Sequence, residues 1–181
     1  MSGKRWNGKG YNINGILEFE VKNGNGKGKE YYDTGKLKFE GEYLNGEING
    51  KGIEYYDNGK LEFEGEFLNG KKNGKGKEYN KNGKLKFEGE YLNGKRNGIG
   101  KEYYYNGKVM LEGEYVKGII NGKGKEYNRN GELMFNGVYL NGKRWNGNGK
   151  EYNKNDEIKF EGEYLNGKKK EYIVDDKNGN N

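Results

Sequence analysis

The chain has 181 residues and a formal net charge of +6, from 34 Lys and Arg against 28 Asp and Glu. Only 30% of the residues are hydrophobic, with too few Leu, Ile and Val to fill a thick core. There is no Cys and no His, which excludes disulfides, thiol nucleophiles and the commonest general base and metal ligand. We therefore expect no catalytic residues, no metal and no cofactor, and so no enzyme.

The first residues lack the apolar segment of a signal peptide, and no stretch is long enough for a transmembrane helix. The expected location is cytoplasmic, either free or at the periphery of a membrane or the cytoskeleton. So polar a chain could be disordered, but aromatic residues recur at fixed spacing, and this favours a folded structure.

Residues 3–38 read as a degenerate, shortened first repeat. From residue 39 onwards one phrase recurs every 24 or 25 residues, and its first position is held by Phe39, Phe63, Phe87, Leu111, Phe135 and Phe160. Five repeats therefore occupy residues 39–159, a partial repeat occupies 160–174, and a flexible tail occupies 175–181. Together they form a single repeat domain of residues 1–181.

Each repeat contains two strand-like runs. In the first run, residues 37–43, apolar residues and glycine alternate with charged residues, and the second run is Ile53-Glu54-Tyr55-Tyr56. A glycine-containing loop at residues 45–50 separates the runs, and Asp57-Asn58-Gly59 predicts a tight turn after the second. This pattern predicts one antiparallel hairpin per repeat, and no helical periodicity is found.

Stacked hairpins give an all-β fold, an elongated single-layer antiparallel sheet of tandem β-hairpin repeats with no helices. Because no helix covers its apolar face, the aromatic residues must pack on one another, along rows such as Phe39–Phe63–Phe87 and Tyr43–Phe67–Tyr91. The intervening glycines leave room for the rings to lie flat across the backbone.

Residues 87–100 resemble the MORN-repeat pattern: Phe87, Gly89 and Tyr91, then Asn93-Gly94, a basic pair and Gly-x-Gly. The resemblance covers about residues 4–172. It implies an elongated hairpin array and a role in membrane attachment, scaffolding or assembly at cytoskeletal structures. The chain departs from the family in having Tyr where Trp is common and a repeat one residue longer than usual. The phrase GKLKFEGEYLNGK, residues 83–95, also resembles variant repeats of bacterial antitoxin-like proteins.

Two sets of residues are candidates for binding. The aromatic column predicts an interaction face of Phe39, Tyr43, Phe63, Phe67, Phe87, Tyr91, Tyr115, Phe135 and Tyr139. Basic residues at one place in the repeats predict an anion-binding edge of Lys71, Lys72, Lys95, Arg96, Lys143, Arg144, Lys168 and Lys169. The alternative for this edge is that its lysines only keep the protein soluble.

Two further features have alternative interpretations. Glu40 and Glu42 share a strand face, as a glycosidase pair would, but the same pair recurs in most repeats, which favours a solvated charged face. Trp6 and Trp145 share the context Lys-Arg-Trp-Asn-Gly; either could anchor an interface or lie over the adjacent hairpin.

Three functions fit these patterns. The first is a non-catalytic scaffold that binds a protein partner, or a second copy, through the aromatic face. The second is a membrane-surface adaptor that binds anionic phospholipid through the basic edge, and the third is an antitoxin-like protein that neutralises a toxin. We expect no small-molecule substrate, and the modest basic excess weighs against nucleic acid.

Overall fold

The computed structural model describes residues 7–11, 15, 17–155 and 157–171. In this part of the chain fifteen strands form one antiparallel sheet, and their order in the sheet is their order in the sequence. No helix occurs there, and therefore none that could cross a membrane. The predicted single-layer hairpin fold is confirmed.

The strands follow one another with short connections. Their bounds are β1 Gly8–Tyr11, β2 Leu17–Lys22, β3 Asn25–Tyr31, β4 Leu37–Leu44, β5 Glu47–Tyr55, β6 Leu61–Leu68, β7 Lys71–Tyr79, β8 Leu85–Leu92, β9 Lys95–Tyr103, β10 Val109–Val116, β11 Ile119–Tyr127, β12 Leu133–Leu140, β13 Lys143–Tyr152, β14 Ile158–Leu165 and β15 Lys168–Glu171.

One end of each hairpin is closed by a two-residue turn, which we call the hairpin tip. Asn45 and Gly46 both have positive φ (53° and 78°), as a type I′ turn requires. Because these two residues close the hairpin, β5 begins at Glu47, and the predicted six-residue loop at 45–50 is wrong. Asn49 and Gly50 instead lie within the strand, where the register shifts and Gly50 has a φ of 105°.

The other end of each hairpin is a longer connection, which we call the return turn. Between β5 and β6 it comprises residues 56–60. The Tyr56 amide donates to the Lys60 carbonyl at 2.8 Å, and the Gly59 amide donates to the Tyr56 carbonyl at 2.8 Å. The predicted turn at Asp57-Asn58-Gly59 is therefore confirmed in place, although it is held within a five-residue connection.

The core lies on one face of the sheet and consists mostly of aromatic rings. Each ring contacts its neighbours edge to face: the Phe63 centroid is 5.4 Å from that of Phe67 and 5.2 Å from that of Tyr91 in the next repeat. These contacts run diagonally from repeat to repeat, rather than along separate rows of the kind predicted for Phe39, Phe63 and Phe87. The buried apolar residues are Val21, Phe39, Tyr43, Phe63, Phe67, Phe87, Tyr91, Tyr115, Ile120, Phe135, Tyr139, Phe160 and Tyr164.

Paired glycines form the backbone surface on which the rings lie. Gly41 is opposite Gly52, which is in turn opposite Gly65. A Cβ atom on Gly41 would lie 2.6 Å from Cζ of Phe39 and 2.7 Å from Cα of Gly52, closer than any real contact. The rings lie against the backbone because these positions have no side chain, as the sequence predicts.

Candidate interaction surfaces

The nine aromatic residues of the predicted interaction face lie inside the ribbon. None of them is more than 5% exposed, and Phe63, Phe87 and Phe135 are fully buried. In this conformation a partner would meet the residues that cover the rings rather than the rings themselves. A direct role of these rings in partner binding stays a prediction.

From the Asn45-Gly46 tip onwards, the cover on the core comes from the second residue after each hairpin tip. The Lys72 Nζ atom lies 4.3 Å from the centroid of the Phe63 ring, and Cζ of Arg96 lies 4.0 Å from that of Phe87. Arg144 and Lys169 cover Phe135 and Phe160 in the same way, each at 5.2 Å. In two other repeats Ile48 and Ile120 hold this position and pack on the core.

Ion pairs fix these covering side chains between neighbouring repeats. Arg96 contacts Glu78 at 2.7 Å and Glu102 at 3.0 Å, so one guanidinium joins two repeats. Burial opposes the charge of Glu78, but the hydrogen bond and positive charge of Arg96 outweigh it and hold the pKa of Glu78 below its ordinary value. Arg144 contacts Glu126 at 2.9 Å in the equivalent position.

Tyrosine hydroxyls complete the same network on the ring side. The Tyr115 hydroxyl donates to Glu102 at 3.0 Å, and the Tyr139 hydroxyl donates to Glu126 at 3.0 Å. Burial, followed by the negative charge of the accepting glutamate, raises the pKa of both tyrosines. Each of these carboxylates therefore receives a tyrosine from one direction and an arginine from another, which ties successive repeats together.

The predicted anion-binding edge is divided between the two faces of the sheet. Strand alternation turns the first basic residue of each pair away from the rings and the second towards them. Lys72, Arg96, Arg144 and Lys169 therefore cover the rings and pair with glutamates. Lys71, Lys95, Lys143 and Lys168 are exposed on the face away from the rings, and among the four ring-covering residues only Lys169 is exposed as well.

A row of exposed aliphatic side chains lies beside these four lysines, and sequence analysis missed it. Each member immediately precedes a hairpin tip and faces away from the rings; Leu68 is paired with Lys71, and Leu92 with Lys95. The members are between 41% and 50% exposed. An aliphatic residue precedes six of the seven described tips, at positions that alternate with those of the Phe column, and this recurrence is the signal that could have revealed the row. We call the set the tip row: Leu44, Leu68, Leu92, Val116, Leu140 and Leu165.

The recurring glutamate pair has a structural role on the charged face. Glu40 accepts a hydrogen bond from the Tyr55 hydroxyl at 2.7 Å, and Glu42 accepts one from the Lys51 amide at 2.9 Å. Burial and the bond to Glu40 raise the pKa of Tyr55 to about 12. A groove of about 810 Å³ follows the alternating Lys and Glu columns on this face. No cluster of three or more Asp or Glu in the described ranges could hold a metal ion.

Trp145 lies over the adjacent hairpin, which is one of the two predicted alternatives. It is half-buried, and a Cβ atom on Gly167 would be 3.3 Å from Cε3 of its indole ring. The Gly167 amide also donates to the Trp145 carbonyl at 2.9 Å. Trp6 and the tail at 175–181 lie outside the described residues.

Comparison with known families agrees with the repeat geometry. A family model for the MORN repeat matches residues 39–60, 63–84, 87–109 and 112–132, and a model for a MORN repeat variant matches residues 24–45. Together these matches cover more than half of the chain. The chain belongs to the MORN-repeat family. No match was found among curated proteins.

The structure extends the MORN pattern beyond the matched segments. Phe135 and Tyr164 lie C-terminal to them, yet their rings meet edge to face at 5.4 Å, as the rings of the matched repeats do. The variant match covers β3 and β4, within and just after the segment predicted to be a degenerate first repeat. MORN repeats are in general non-catalytic and form scaffolds for protein or membrane interaction.

Proposed function

We propose that this MORN-repeat ribbon is a non-catalytic, cytoplasmic scaffold that binds a protein partner through the tip row. The observation that carries the proposal is the regular exposure of six aliphatic side chains, each at least 41% exposed, in one register along one edge. Single exposed aliphatics are ordinary on protein surfaces. Here six of them recur at one place in the repeat, and this regularity favours an interaction site. The third function predicted from sequence, toxin neutralisation, stays a prediction.

The hairpin tips present this row on a rigid frame. Backbone bonds join successive tips, such as that from the Gly94 amide to the Lys72 carbonyl at 2.8 Å. With two strands per repeat, the members of the row recur about every 10 Å. A preorganised surface loses little conformational entropy when it binds a partner.

Non-catalytic function is supported by the roles of the recurring carboxylates. Glu40 accepts a hydrogen bond from a tyrosine hydroxyl, and Glu42 accepts one from a backbone amide at the strand bulge. In the next repeat Glu64 accepts one from the Tyr79 hydroxyl at 2.7 Å. A set of groups that repeats with the hairpin and stabilises each one is typical of a structural role.

The proposal is tested by replacing tip-row residues and capturing partners from the native cell. We expect proteins retained by the wild type to be lost from the Leu68→Ser, Leu92→Ser, Leu140→Ser triple variant, because it removes apolar contact area. The matched control replaces three aliphatic residues outside the row that are at least 46% exposed, Ile99, Leu133 and Ile158, with Ser, and should retain the captured proteins. Recovery of the same proteins by the tip-row variant, folded by circular dichroism, would contradict the proposal.

A second candidate function is binding to an anionic membrane surface. The observation in its favour is that Lys71, Lys95, Lys143 and Lys168 are exposed directly beside tip-row leucines. Each lysine near an anionic surface contributes about 1 kcal/mol, and the adjacent leucine could enter the headgroup region.

Sedimentation with phosphatidylserine vesicles tests this second function. Binding should be seen at low salt, weaken at high salt, and fall when Lys71, Lys95 and Lys143 are replaced by Glu. The control makes the same replacement by Glu at Lys75, Lys101 and Lys123, which lie on the charged face away from the tips. This variant should bind the vesicles as the wild type does. Absence of binding to anionic vesicles at low salt would exclude this function.

A further inference from the structure

Tyrosine side chains join several successive return turns, and the series is interrupted where asparagine holds the equivalent position, at Asn80 and Asn128. The Tyr32 hydroxyl donates to the Tyr55 carbonyl at 2.6 Å, and the Tyr56 hydroxyl donates to the Tyr79 carbonyl at 2.7 Å. Two repeats further on, the Tyr104 hydroxyl donates to the Tyr127 carbonyl at 2.8 Å. Each ring crosses from its own repeat to the next.

In the repeat between Tyr56 and Tyr104, the equivalent position is held by Asn80. Its side chain turns back into its own return turn, where Oδ1 accepts from the Asn82 amide at 2.9 Å and the Lys84 amide at 3.2 Å. It brings no hydroxyl to the Tyr103 carbonyl. The space that a tyrosine ring fills in the neighbouring repeats is therefore open at this one.

An open cavity of about 400 Å³, which we call the notch, lies at this position. Its size is within the range of cavities that bind small ligands. Most of its aromatic lining comes from the consecutive tyrosines of one repeat. The lining includes Tyr56, Tyr103, Tyr104, Tyr105, Lys81 and Lys86.

Tyr105 gives the notch an exposed aromatic wall that the other described repeats lack. Its equivalents in the other return turns are charged residues, such as Asp57 and Arg129. Tyr105 is 62% exposed, and its hydroxyl accepts a hydrogen bond from Nδ2 of Asn82. Exposed tyrosine is typical of surfaces that bind other proteins, because the ring offers large contact area with little rotational freedom to lose.

The charge beside the notch is positive. Residues 80–86 contain Lys81, Lys84 and Lys86 and no acidic residue. The Lys81 Nζ atom lies 5.8 Å from the centroid of the Tyr56 ring, so an ammonium group is held at the cavity wall.

We propose that the notch binds a tyrosine side chain of a partner protein, presented in a segment with acidic residues next to that tyrosine. The neighbouring repeats show that a phenol ring fits this kind of site and that its hydroxyl reaches the backbone carbonyl beyond it. The lysines of residues 80–86 complement acidic flanks. The site deepens the proposed scaffold function, since it names the chemistry of a partner segment, and it lies away from the tip row.

The test titrates the full-length, 15N-labelled protein with short peptides and follows amide signals by NMR. Acetyl-Glu-Tyr-Glu-amide should shift the Asn80, Lys81 and Tyr105 signals saturably. The Phe analogue should bind more weakly because it has no hydroxyl for the Tyr103 carbonyl, and the Lys-Tyr-Lys analogue because its charge is wrong.

The decisive variant is Asn80→Tyr, which supplies the ring that this repeat lacks. It should raise the melting temperature and weaken peptide binding by about tenfold or more, because the variant's own side chain fills the notch. Asn128→Tyr, the same change two repeats away, should bind the peptide as the wild type does. Tyr105→Ala removes the exposed wall and its hydrogen bond with Asn82, leaves the bonds of Tyr56 and Tyr104 in place, and should also weaken binding.

The absence of a saturable shift at the notch overturns the proposal, as does unchanged affinity in both Asn80→Tyr and Tyr105→Ala. Shifts confined to other residues overturn it as well. The tip-row triple variant should bind the peptide normally, because its changes lie on another edge. A tip-row variant that loses captured partners but still binds the peptide supports the two sites separately. If the wild type captures partners through the tip row but does not bind the peptide, only the notch proposal fails.

Discussion

Glycine and phenylalanine together allow one layer of sheet to bury its own core. In most sheets the position two residues after a ring carries a side chain, which holds the ring upright against a second layer. Here that position is glycine in every repeat from residue 39 onwards, and Phe63 is fully buried although no second layer covers it. The Lys72 side chain covers the face of the Phe63 ring that is turned away from the sheet.

Gly76→Ala tests this arrangement at a single residue. Its Cβ would lie 2.3 Å from Cζ of Phe63, so the ring must move. The expected loss of unfolding free energy approaches that of removing a buried ring, about 3–5 kcal/mol. Gly59→Ala, where φ is 81° but the space is open, should lose only about 1 kcal/mol from backbone strain.

Urea unfolding measures both variants, and a double variant identifies the cause. If the ring is the obstacle, Gly76→Ala combined with Phe63→Leu should cost less than the sum of the two single changes. Leu111 naturally holds the Phe position in another repeat, so the fold accepts leucine there. Equal costs for Gly76→Ala and Gly59→Ala would contradict the ring-on-glycine explanation.

At the scale of the element, the hairpin tip sets the geometry of each repeat. Its two residues have positive φ, which Asn and Gly adopt at low cost. The first tip residue is Asn in six of the seven described hairpins and Lys117, with φ of 52°, in the other. Lys117 therefore carries strain that its counterparts avoid.

Lys117→Asn should stabilise the protein by about 1 kcal/mol, because asparagine tolerates the left-handed conformation better than lysine does. The reverse change at the equivalent position, Asn93→Lys, should destabilise it by a similar amount. Thermal and urea midpoints measure both. A neutral or destabilising Lys117→Asn, alongside a costly Asn93→Lys, would show that the side chain of Lys117 has a role of its own.

At the scale of the whole molecule, each hairpin depends mainly on its two neighbours. Strand order follows sequence order, and the bonds between tips and between return turns advance by one repeat. The stability of such an array is approximately a sum of repeat terms and interface terms. Its length should therefore be adjustable in units of one repeat.

Deletion of residues 63–86 should leave a folded, shorter ribbon. The new junction joins Glu62 to Phe87, which keeps the alternation of the fused strand. Small-angle scattering should show a decrease in length of about 10 Å, the width of two strands. Deletion of residues 63–74 breaks the register and should unfold the chain by circular dichroism. Equal unfolding of both variants would contradict the modular description.

Most of the fold could be predicted from the sequence, and the main error concerns the hairpin tip. The period, the single sheet and the glycine surface follow from repetition and alternation, and the structure confirms them. A six-residue loop beginning at the tip, as predicted at 45–50, would place the equivalent residues Lys71 and Lys72 outside a strand and leave both exposed. Because the tip has only two residues, Lys71 and Lys72 begin a strand, and strand alternation places the Lys72 side chain on the face that carries the rings.

The remaining features could not be predicted from the sequence, because they depend on contacts between side chains of different repeats. The contact of Arg96 with Glu78 joins residues of different repeats, and no local pattern pairs them. Burial of the aromatic column depends on how far each ring tilts onto glycine and on what covers it. The notch combines the short side chain of Asn80, which replaces the bridging tyrosines Tyr32, Tyr56 and Tyr104, with the exposed wall of Tyr105. Its meaning is clear only once those tyrosine rings are seen to bridge repeats.

The linear strand order has a consequence for synthesis. A chain leaving the ribosome exposes β1 first, and every later strand pairs with the one made just before it. None of the fifteen described strands has to wait for a distant part of the polypeptide, so this part of the nascent protein can fold vectorially, one hairpin at a time. The growing sheet edge is then the template on which the next hairpin closes, and translation speed sets how long each unpaired edge is exposed to other nascent chains.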